Sequence, residues 1–424
     1  MASLAIVAAG CGADEAEWCA PVEMRGGGAA ELVLVADLPL KGPSGRKARQ
    51  IANAIRVELG ARGFRAGRHA VGFQVCDHAS ATTGRWEPSS CSRNANAYAD
   101  RDEVIGVVGP LDSGCAAVMI PVLDNARNDG IPIVSPSTTY PCLTEGGPGC
   151  DITEPDKYYP TGRRNFLRVV GNDTHESAAL AELAKLLGAR RLVVLDDGEA
   201  YGRGMATGVR RAARALGLEV VAFQAWDPHQ KGYAALFERL EAKRPDAVIL
   251  AGLLEQNGAR VIADKVAVLG PNDGPVKLLA SDGLAGSMLL ETPGAAATDM
   301  LVTEVGVPVD RFPTSAKRFA RRLVEAYPSS HPVDPYAFFG AQAARVLLDA
   351  IAASDGTRGE VTERLFASKV DDGLIGSFSF DRNGDPTQAT GPVIGVSVSR
   401  VGAARLVLER TIEPTKAAIA AAAG

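Results

Sequence analysis

From Glu31 onward, short apolar runs alternate along the chain with segments of helical spacing. The first series opens with a predicted strand, "ELVLVADLPL", followed by helical spacing over Gly45 to Ala61, a strand at "AVGFQVCD" and a helix over Arg93 to Arg101. A second series runs from "RRLVVLDD" to "VKLLASDG". Strands that alternate with helices form parallel sheets through right-handed crossovers. The pattern therefore predicts an α/β fold with two doubly wound, Rossmann-like lobes.

A Pro- and Gly-rich passage, "EGGPGCDITEPDKYYPTGRR", separates the two series and is predicted to be a loop. The elements after the second series are too few for a third lobe, so we expect them to complete the first two through a hinge of several crossings. The predicted division is residues 31–172 with 306–390 for lobe 1, and residues 173–305 with 391–414 for lobe 2. Residues 1–30 are predicted to be a signal remnant and flexible tether, and residues 415–424 a frayed tail.

The segment from Val104 to Thr144 predicts a binding site. It indicates a buried strand, a turn, a helix, a second buried strand and a second turn, and both turns carry hydroxyl side chains: Ser113 in the first, and Ser137, Thr138 and Thr139 in the second. Turns at the C-terminal ends of parallel strands face one crevice. The first turn also opens a helix, whose free N–H groups attract an anion. The segment therefore predicts a pocket of neutral donors for a small carboxylate.

Three further residues are candidates for the same crevice. Asp282 ends an apolar strand in "LLASDGLAG" and is expected at the C-terminal edge of a sheet. Asp173 in "VVGNDTHES" either caps the next helix, as Asp often does, or contacts a ligand. Tyr201 in "GEAYGRGMA" lies at a strand-to-helix turn. It either closes over a ligand or staples the start of the helix.

Composition and motifs exclude several classes of function. The 424 residues suffice for one large or two medium domains. The net charge of −5, without a basic stripe, argues against a nucleic-acid partner. No apolar run reaches the ~18 residues of a membrane span. "GPLDSG" lacks the Lys and Ser/Thr of a phosphate loop, and GxSxG and HExxH motifs are absent. A hydrolase that uses Cys115 or a Ser nucleophile remains a distant alternative, and no catalytic residue is assigned.

The seven cysteines indicate an oxidising compartment. Cys76 and Cys91 bracket one polar loop, and Cys142 and Cys150 bracket another, so we predict one short-range disulfide across each loop. Neither pair has zinc-site spacing and His is scarce, so no metal site and no cofactor are expected. Free thiols are the alternative, and Cys19 and Cys115 are left unassigned.

The N-terminal run "SLAIVAAGC" resembles the end of a bacterial lipoprotein signal, which would make Cys11 the acylated residue. It departs from that pattern in lacking a charged start and in having Ala8 at the −3 position, where Leu is usual. Either translation begins upstream of Met1 or the likeness is accidental. The prediction is an extracytoplasmic protein anchored by lipid to the cell membrane.

The order and spacing of several segments resemble type I periplasmic binding proteins of the branched-chain amino acid family, the receptors of ABC importers. The likeness runs from about Glu31 to Pro414. The segments that carry it are "PLKGPSG", "VIGVVGPLDSGCA", "IPIVSPSTTYPCLT", "FLRVVGNDTHESAA", "EAYGRGMATGVRRAARALGLEVV", "PDAVILAGLLEQNG" and "DPYAFFGAQAARVLLDAI".

The resemblance implies a ligand held between two closing lobes. Residues matching Ser113, Ser137 and Thr139 would bind its α-carboxylate. Carboxylates matching Asp173 and Asp282 would bind its α-ammonium, and Tyr201 would cover it from lobe 2. Thr138, Leu254 and Tyr336 complete the predicted set of ligand-binding residues.

This chain also departs from the family. An aromatic contact near the first strand is replaced by "GRKA" around Lys47, and a tyrosine position by Leu253-Leu254. Where the family has Glu at the ammonium site, this chain has the shorter Asp282. Asp112 adds a negative charge near the carboxylate site.

The implied function is a monomeric solute-binding protein that delivers an amino acid or related small molecule to an ABC permease in the membrane. A sensor of the same fold that signals to a partner is the alternative. The sequence leaves open a leucine-like amino acid, a polar amino acid, a short amide or an aromatic acid as the ligand.

Overall fold

Two parallel sheets form the frame of the molecule, and the first is built from the N-terminal half of the chain. The structure is a computed structural model that describes residues 18–25, 29–305, 312–329, 331–387, 394–400 and 405–424. The first sheet has the order β2-β3-β1-β4-β5-β6, and all its neighbours are parallel except β2 and β3. Its strands are β1 (Leu32–Leu38), β2 (Arg65–Ala66), β3 (His69–Asp77), β4 (Val104–Val108), β5 (Ile133–Ser135) and β6 (Phe166–Arg168).

Five helices surround this sheet and define lobe 1 with it. Helices α1 and α10 pack on one face in a core of aliphatic and phenylalanine side chains, and α2 and α3 pack together on the other. The helices are α1 (Gly45–Ala61), α2 (Pro88–Ala99), α3 (Ser113–Asp124), α10 (Tyr336–Ala352) and α11 (Arg358–Phe366). A small antiparallel pair, β12 (Lys369–Gly373) and β13 (Gly376–Ser379), and the helix α9 (Thr314–Ala326) complete the lobe.

The second sheet and its helices define lobe 2. Its order is β15-β14-β11-β10-β9-β7-β8, with antiparallel pairing only at the β11-β14-β15 edge. Its strands are β7 (Arg191–Asp196), β8 (Glu219–Ala225), β9 (Ala247–Ala251), β10 (Lys277–Ala280), β11 (Leu301–Val305), β14 (Ile394–Arg400) and β15 (Arg405–Ile412). Its helices are α4 (Asp173–Leu186), α5 (Ala200–Ala215), α6 (Ala234–Glu241), α7 (Ala259–Leu269), α8 (Ser287–Glu291) and α12 (Lys416–Ala423). Two doubly wound α/β lobes were predicted, and this fold class is confirmed.

The chain passes between the lobes at three places, after β6, after β11 and after residue 387. The first and third passages are tied together by Arg168 and Asp385. Arg168 is fully buried, and its Nε donates to Asp385 Oδ1 at 2.6 Å. The Asn172 amide, at the start of α4, donates to the other Asp385 oxygen at 3.3 Å. One buried ion pair thus joins two of the passages that the lobes share.

The N-terminal segment corrects one prediction. Residues 18–23, predicted to be part of a flexible tether, run beside β3 as an extended segment. The Glu23 N–H donates to the Phe73 carbonyl at 2.7 Å, and Cys19 forms a disulfide with Cys76. Such pairing covers a free strand edge, which explains why residues 18–23 adopt an extended structure here. Cys11 lies outside the described residues.

The disulfides agree with the sequence prediction at one pair and contradict it at the other. Cys142 and Cys150 are bonded, as predicted. The predicted bond between Cys76 and Cys91 is wrong, because Cys76 pairs with Cys19 and Cys91 pairs with Cys115. Cys91 lies on α2, which packs against α3, so Cys115 is its neighbour in space.

The C-terminal residues also differ from expectation. Residues 415–424 were predicted to fray, but α12 packs against α4 and α5 and buries Ala418 and Ala422. The Thr415 hydroxyl caps this helix by accepting from the Ala418 N–H at 3.3 Å. The alanines that suggested a disordered tail are small enough for close packing of helix on helix. No helix of the described residues is long and apolar enough to cross a membrane.

Candidate functional site

A cleft lies between the C-terminal ends of the strands of both sheets. Such strand ends, at the point where strand order reverses, are the usual ligand position in doubly wound folds. The cleft has a cavity volume of about 60 Å³, several times the ~10–15 Å³ that one water needs. Its lining from lobe 1 is Ser44, Lys47, Trp86, Leu111, Asp112, Ser113, Gly114, Ser137, Thr139 and Tyr336. Its lining from lobe 2 is Glu199, Tyr201, Leu253, Glu255, Asp282 and Gly283.

The hydroxyl side of the cleft comes from the two turns singled out in the sequence. Ser113 is the first residue of α3, and its hydroxyl accepts from the Tyr140 N–H at 3.3 Å, which links the two turns. The Ser137 hydroxyl donates to the Leu111 carbonyl at 2.8 Å. The Thr139 hydroxyl is buried and has no hydrogen-bond partner within the described part of the chain. Together with the free N–H groups that begin a helix, these atoms can bind an anion.

Thr138 does not line the cleft, unlike the other three hydroxyl residues. Its side-chain oxygen is buried without a partner among the described residues, and its carbonyl accepts from Arg168 Nη1 at 3.1 Å. The same nitrogen donates to the Tyr140 carbonyl at 2.9 Å. Thr138 therefore helps to hold the turn in place through its backbone. A contact of the Thr138 side chain with the ligand stays a prediction.

The carboxylate side of the cleft centres on Asp282. One Asp282 oxygen accepts from the Tyr201 hydroxyl at 2.5 Å, and the other accepts from the hydroxyl of Tyr336. Burial, together with the Asp282 charge, raises the pKa of both phenols well above the ordinary value. The phenols therefore remain protonated donors at neutral pH. A carboxylate offers about four lone-pair sites, so Asp282 can still accept from a ligand ammonium.

Glu176 accepts a hydrogen bond from the backbone of Asp282, and it was not predicted from the sequence. Its Oε1 accepts from the Asp282 N–H at 2.8 Å and from the Thr303 hydroxyl at 2.5 Å, while Oε2 has no partner among the residues described. Burial is the main cause of the raised pKa of Glu176, and the Asp282 charge adds to it. The spacing of Glu176 from Asp173 could have indicated a role near the site, because positions i and i+3 lie on one face of a helix.

Asp173 lies near the cleft but not in its lining. It is the first residue of α4, whose N-cap is Asn172, with an amide oxygen that accepts from the Thr174 N–H at 3.2 Å. The predicted capping role of Asp173 is therefore wrong. Its N–H donates to the Thr139 carbonyl at 3.0 Å. Both of its carboxylate oxygens are buried without a hydrogen-bond partner in the described chain. Burial raises the pKa of Asp173 to about 8, although the nearby Thr139 hydroxyl acts in the opposite direction.

A larger cavity adjoins the cleft and contains Leu254, which the cleft itself does not. This second cavity has a volume of about 340 Å³ and shares Ser44, Lys47, Glu255 and Gly283 with the cleft. Its remaining walls include apolar side chains, among them Met288, Leu290 and Val333. Leu253, not Leu254, lines the cleft. The one-residue difference arises where the chain leaves β9 and enters the wide turn Leu254–Gly258.

Trp86 and a set of charged residues complete the cleft, and the sequence had given little sign of them. The Trp86 ring packs against the start of α3, where an added Cβ on Gly114 would lie 2.3 Å from it. Glu199 and Glu255 come from the turns after β7 and β9, and Lys47 comes from α1. A general signal existed for the three charged residues, because each lies shortly after a strand end or in a first helical turn.

Asp112 is paired with a buried histidine. Its Oδ2 lies 2.9 Å from His78 Nε2, while His78 Nδ1 contacts Asp37. Although burial opposes charging of the ring, the two carboxylates outweigh it and raise the pKa of His78 to about 10. The ring is therefore an imidazolium shared between two carboxylates.

Several bonds cross the cleft. The Ser44 hydroxyl donates to Glu255 Oε1 at 3.0 Å, and Arg85 donates to Gln256 Oε1 at 3.3 Å. Arg46 forms an ion pair with Glu291 at 3.0 Å. With the Tyr336–Asp282 bond, these contacts hold the lobes together in the structure.

Cys115 cannot act as a thiolate nucleophile here, because its sulfur is bonded to Cys91. The Cys115 hydrolase alternative is therefore contradicted.

Solved structures of other proteins share this fold. The leucine-binding protein LivK of Thermotoga maritima superposes with a TM-score of 0.74 at 22% identity, over 90% of this chain and 99% of that one. A solute-binding protein of R. palustris in complex with 4-hydroxybenzoate gives the same TM-score at 16% identity, over 90% and 97%.

The family itself is shown by sequence similarity. The chain is 27% identical over 260 residues to the Leu/Ile/Val-binding protein BraC3 of Rhizobium johnstonii, which is 60% of this chain and 62% of the relative. That match spans less than two thirds of the relative's length. The leucine-specific-binding protein of Salmonella typhimurium is 25% identical, over 67% of this chain and 70% of its own. A profile described as periplasmic binding protein matches residues 39–400. The protein therefore belongs to the periplasmic binding protein family.

Proposed function

We propose that this protein is an extracytoplasmic solute-binding component of an ABC importer, and that it binds an amino acid or a related zwitterion between its lobes. One observation carries the proposal. A single cleft has neutral donors on its lobe 1 wall, from Ser113 and Thr139, and a carboxylate on its lobe 2 wall, from Asp282. A buried zwitterion needs this arrangement, because buried charges must be paired and hydrogen-bonded.

The family relatives support the anion-binding half of the proposal. Leucine, isoleucine, valine and 4-hydroxybenzoate, for which relatives and structural neighbours are named, all carry a carboxylate group. The three disulfides support an oxidising compartment outside the cytoplasm. We further propose an acyl anchor at Cys11, which rests on the sequence pattern alone.

Closure of the lobes supplies the mechanism. Ligand contacts from lobe 1 and lobe 2 form together only in the closed form, so ligand shifts the equilibrium toward it. The closed form would then dock on a membrane permease. Cells lacking the gene should lose uptake of the bound ligand, whereas unchanged uptake would contradict the importer assignment.

Calorimetry of an Asp282→Ala variant tests the binding mode. We expect affinity to fall by about 2 kcal/mol, because the variant leaves a buried ammonium without its partner. Native mass spectrometry of the purified protein would first identify a co-purified ligand. Glu238→Ala is the matched control, since Glu238 is exposed on α6 and remote from the cleft lining. Unchanged affinity in Asp282→Ala would refute the assignment.

A further inference from the structure

We infer that the ligand is an amino acid whose side chain ends in a cationic group, an amine or a guanidine. The inference rests on the proposed function and names the ligand class of the same cleft. It follows from the charges that lie beyond the groups assigned to the α-carboxylate and α-ammonium. Those charges are the carboxylates of Asp112, Glu199 and Glu255 and the single ammonium of Lys47.

The three carboxylates come from both sides of the cleft. Asp112 precedes α3 in lobe 1, while Glu199 precedes α5 and Glu255 follows β9 in lobe 2. They act on one another, since the Asp112 charge adds to burial in raising the pKa of Glu199 and that of Glu255, the latter to about 7. Lobe closure therefore brings like charges together, and the repulsion is relieved either by uptake of a proton or by a cation placed among them.

The cations of the chain do not balance this set. The imidazolium of His78 is shared between Asp112 and Asp37. The Lys47 ammonium lies over the Tyr336 ring, 4.8 Å from its centroid, and lowers the pKa of Glu255 only in part. Arg85 and Arg203 act on Glu199 at longer range, but neither lines the cleft. Counting Asp282, the lining has four carboxylates against one ammonium.

Two buried groups indicate independently that a ligand occupies this space. The Thr139 hydroxyl is 1% exposed, lines the cleft and makes no hydrogen bond of normal geometry in the described part of the chain, although it lies close enough to the Asp173 carboxyl to lower its pKa. Trp86 is 9% exposed, and its indole N–H is likewise without a described partner. An indole ring also attracts a cation to its face.

The shape of the site suits a long side chain. The cleft opens past Ser44, Lys47 and Glu255 into the second cavity of about 340 Å³. A ligand held by its α-carboxylate and α-ammonium can extend an alkyl stem along Trp86 and Leu253 and place its charged end near Glu199 and Glu255. An acidic side chain would meet like charges there.

Isothermal titration with matched ligands tests the inference. L-Arginine and L-lysine are compared with L-citrulline and L-norleucine, which have similar shapes without the charge. We expect L-arginine to bind at least tenfold more tightly than L-citrulline, and L-lysine at least tenfold more tightly than L-norleucine. Equal or tighter binding of the neutral partners would overturn the inference and leave the proposed function intact. Failure of every amino acid to bind would count against the proposed function itself.

Variants that remove one carboxylate charge each show which residues cause the preference for a cationic side chain. Glu255→Gln and Glu199→Gln keep the side-chain shape. Each should raise the Kd for L-arginine at least fivefold without weakening the binding of L-citrulline. Glu238→Gln, on the exposed face of α6, is the control and should change neither. Circular dichroism and the melting temperature show that each variant is folded. If the two variants weaken both ligands alike, their role is structural and the inference is wrong.

Discussion

Tyr336, at the start of α10 in lobe 1, donates its hydroxyl hydrogen bond to Asp282, at the end of β10 in lobe 2. The carboxylate assigned to the ligand ammonium is therefore oriented by both lobes, because Tyr201 of lobe 2 binds its other oxygen. This bond can form only when the lobes are close together. Closure of the lobes therefore helps to fix the position of the carboxylate that would bind the ligand ammonium.

Replacing Tyr336 with Phe should weaken ligand binding by about 1.5–3 kcal/mol, the usual value of one hydrogen bond to a charged group. The loss should appear mainly as faster dissociation, since the bond stabilises the closed form. Stopped-flow and calorimetric measurements check this. Tyr327→Phe is the control, because Tyr327 is 37% exposed. An unchanged dissociation rate in Tyr336→Phe would show that the bond does not contribute to closure.

The buried carboxyl group of Asp173 predicts a pH dependence of stability. Burial raises its folded-state pKa to about 8, above the ordinary 3.8. The folded protein then binds more protons than the unfolded chain between these values, so stability falls as pH rises through that window. One such group contributes a slope of about 1.4 kcal/mol per pH unit. Chemical denaturation of the ligand-free protein at pH 5 and pH 8 measures it.

Asp173→Asn resembles the protonated form and should remove the share of the slope that Asp173 contributes, while stabilising the protein near pH 8. Glu176, Asp197 and Glu255, whose pKa values are also raised by burial, leave a residual slope of the same sign. Asp156→Asn is the control, because Asp156 is exposed. A variant that kept the wild-type slope would mean that Asp173 is already ionised in the folded protein.

The turns that carry Ser113, Ser137 and Thr139 could be predicted because each follows an apolar run at a strand end. The position of Asp282 followed from the same rule. The inward or outward direction of each residue within a turn could not be predicted, which is why Thr138 and Leu254 were expected in the pocket but are not among the residues that line the cleft. Local hydrophobic pattern fixes where a strand ends, whereas the direction of a side chain beyond it depends on contacts such as that of Arg168 with the Thr138 carbonyl.

The sequence also left open which residues that are distant along the chain contact one another. Cys91 is 15 positions from Cys76 along the chain, yet helix packing places it next to Cys115. Glu176, His78 and Trp86 likewise acquire their roles from partners distant in sequence. Glu176 meets Asp282 at a separation of 106 residues, for example. Such contacts depend on topology, which local spacing does not encode.

Peptide mapping without reduction should recover three linked pairs, Cys19–Cys76, Cys91–Cys115 and Cys142–Cys150. Replacing Cys91 and Cys115 together with Ala should lower the free energy of unfolding by about 3 kcal/mol on the loop-entropy account. The matched change at Cys142 and Cys150 should cost less, because that bond closes a loop of separation 8 instead of 24. A recovered Cys76–Cys91 peptide would contradict the packing of α2 on α3.

Loss of the ion pair between Arg168 and Asp385 should lower the stability of the protein more than loss of any other contact of the hinge. Arg168→Met leaves Asp385 buried without its cation and should cost about 3–5 kcal/mol of stability. The Arg163–Asp129 pair provides the contrast, because both side chains are more than half exposed and such pairs contribute about 0–1 kcal/mol. Denaturant titration of Arg168→Met and Arg163→Met compares them directly. In a double variant, Asp385→Leu should restore part of the stability lost in Arg168→Met, because it removes the unpaired charge. Equal losses for the two arginine variants would show that Asp385 is solvated in the folded protein and that the buried pair does not hold the passages together.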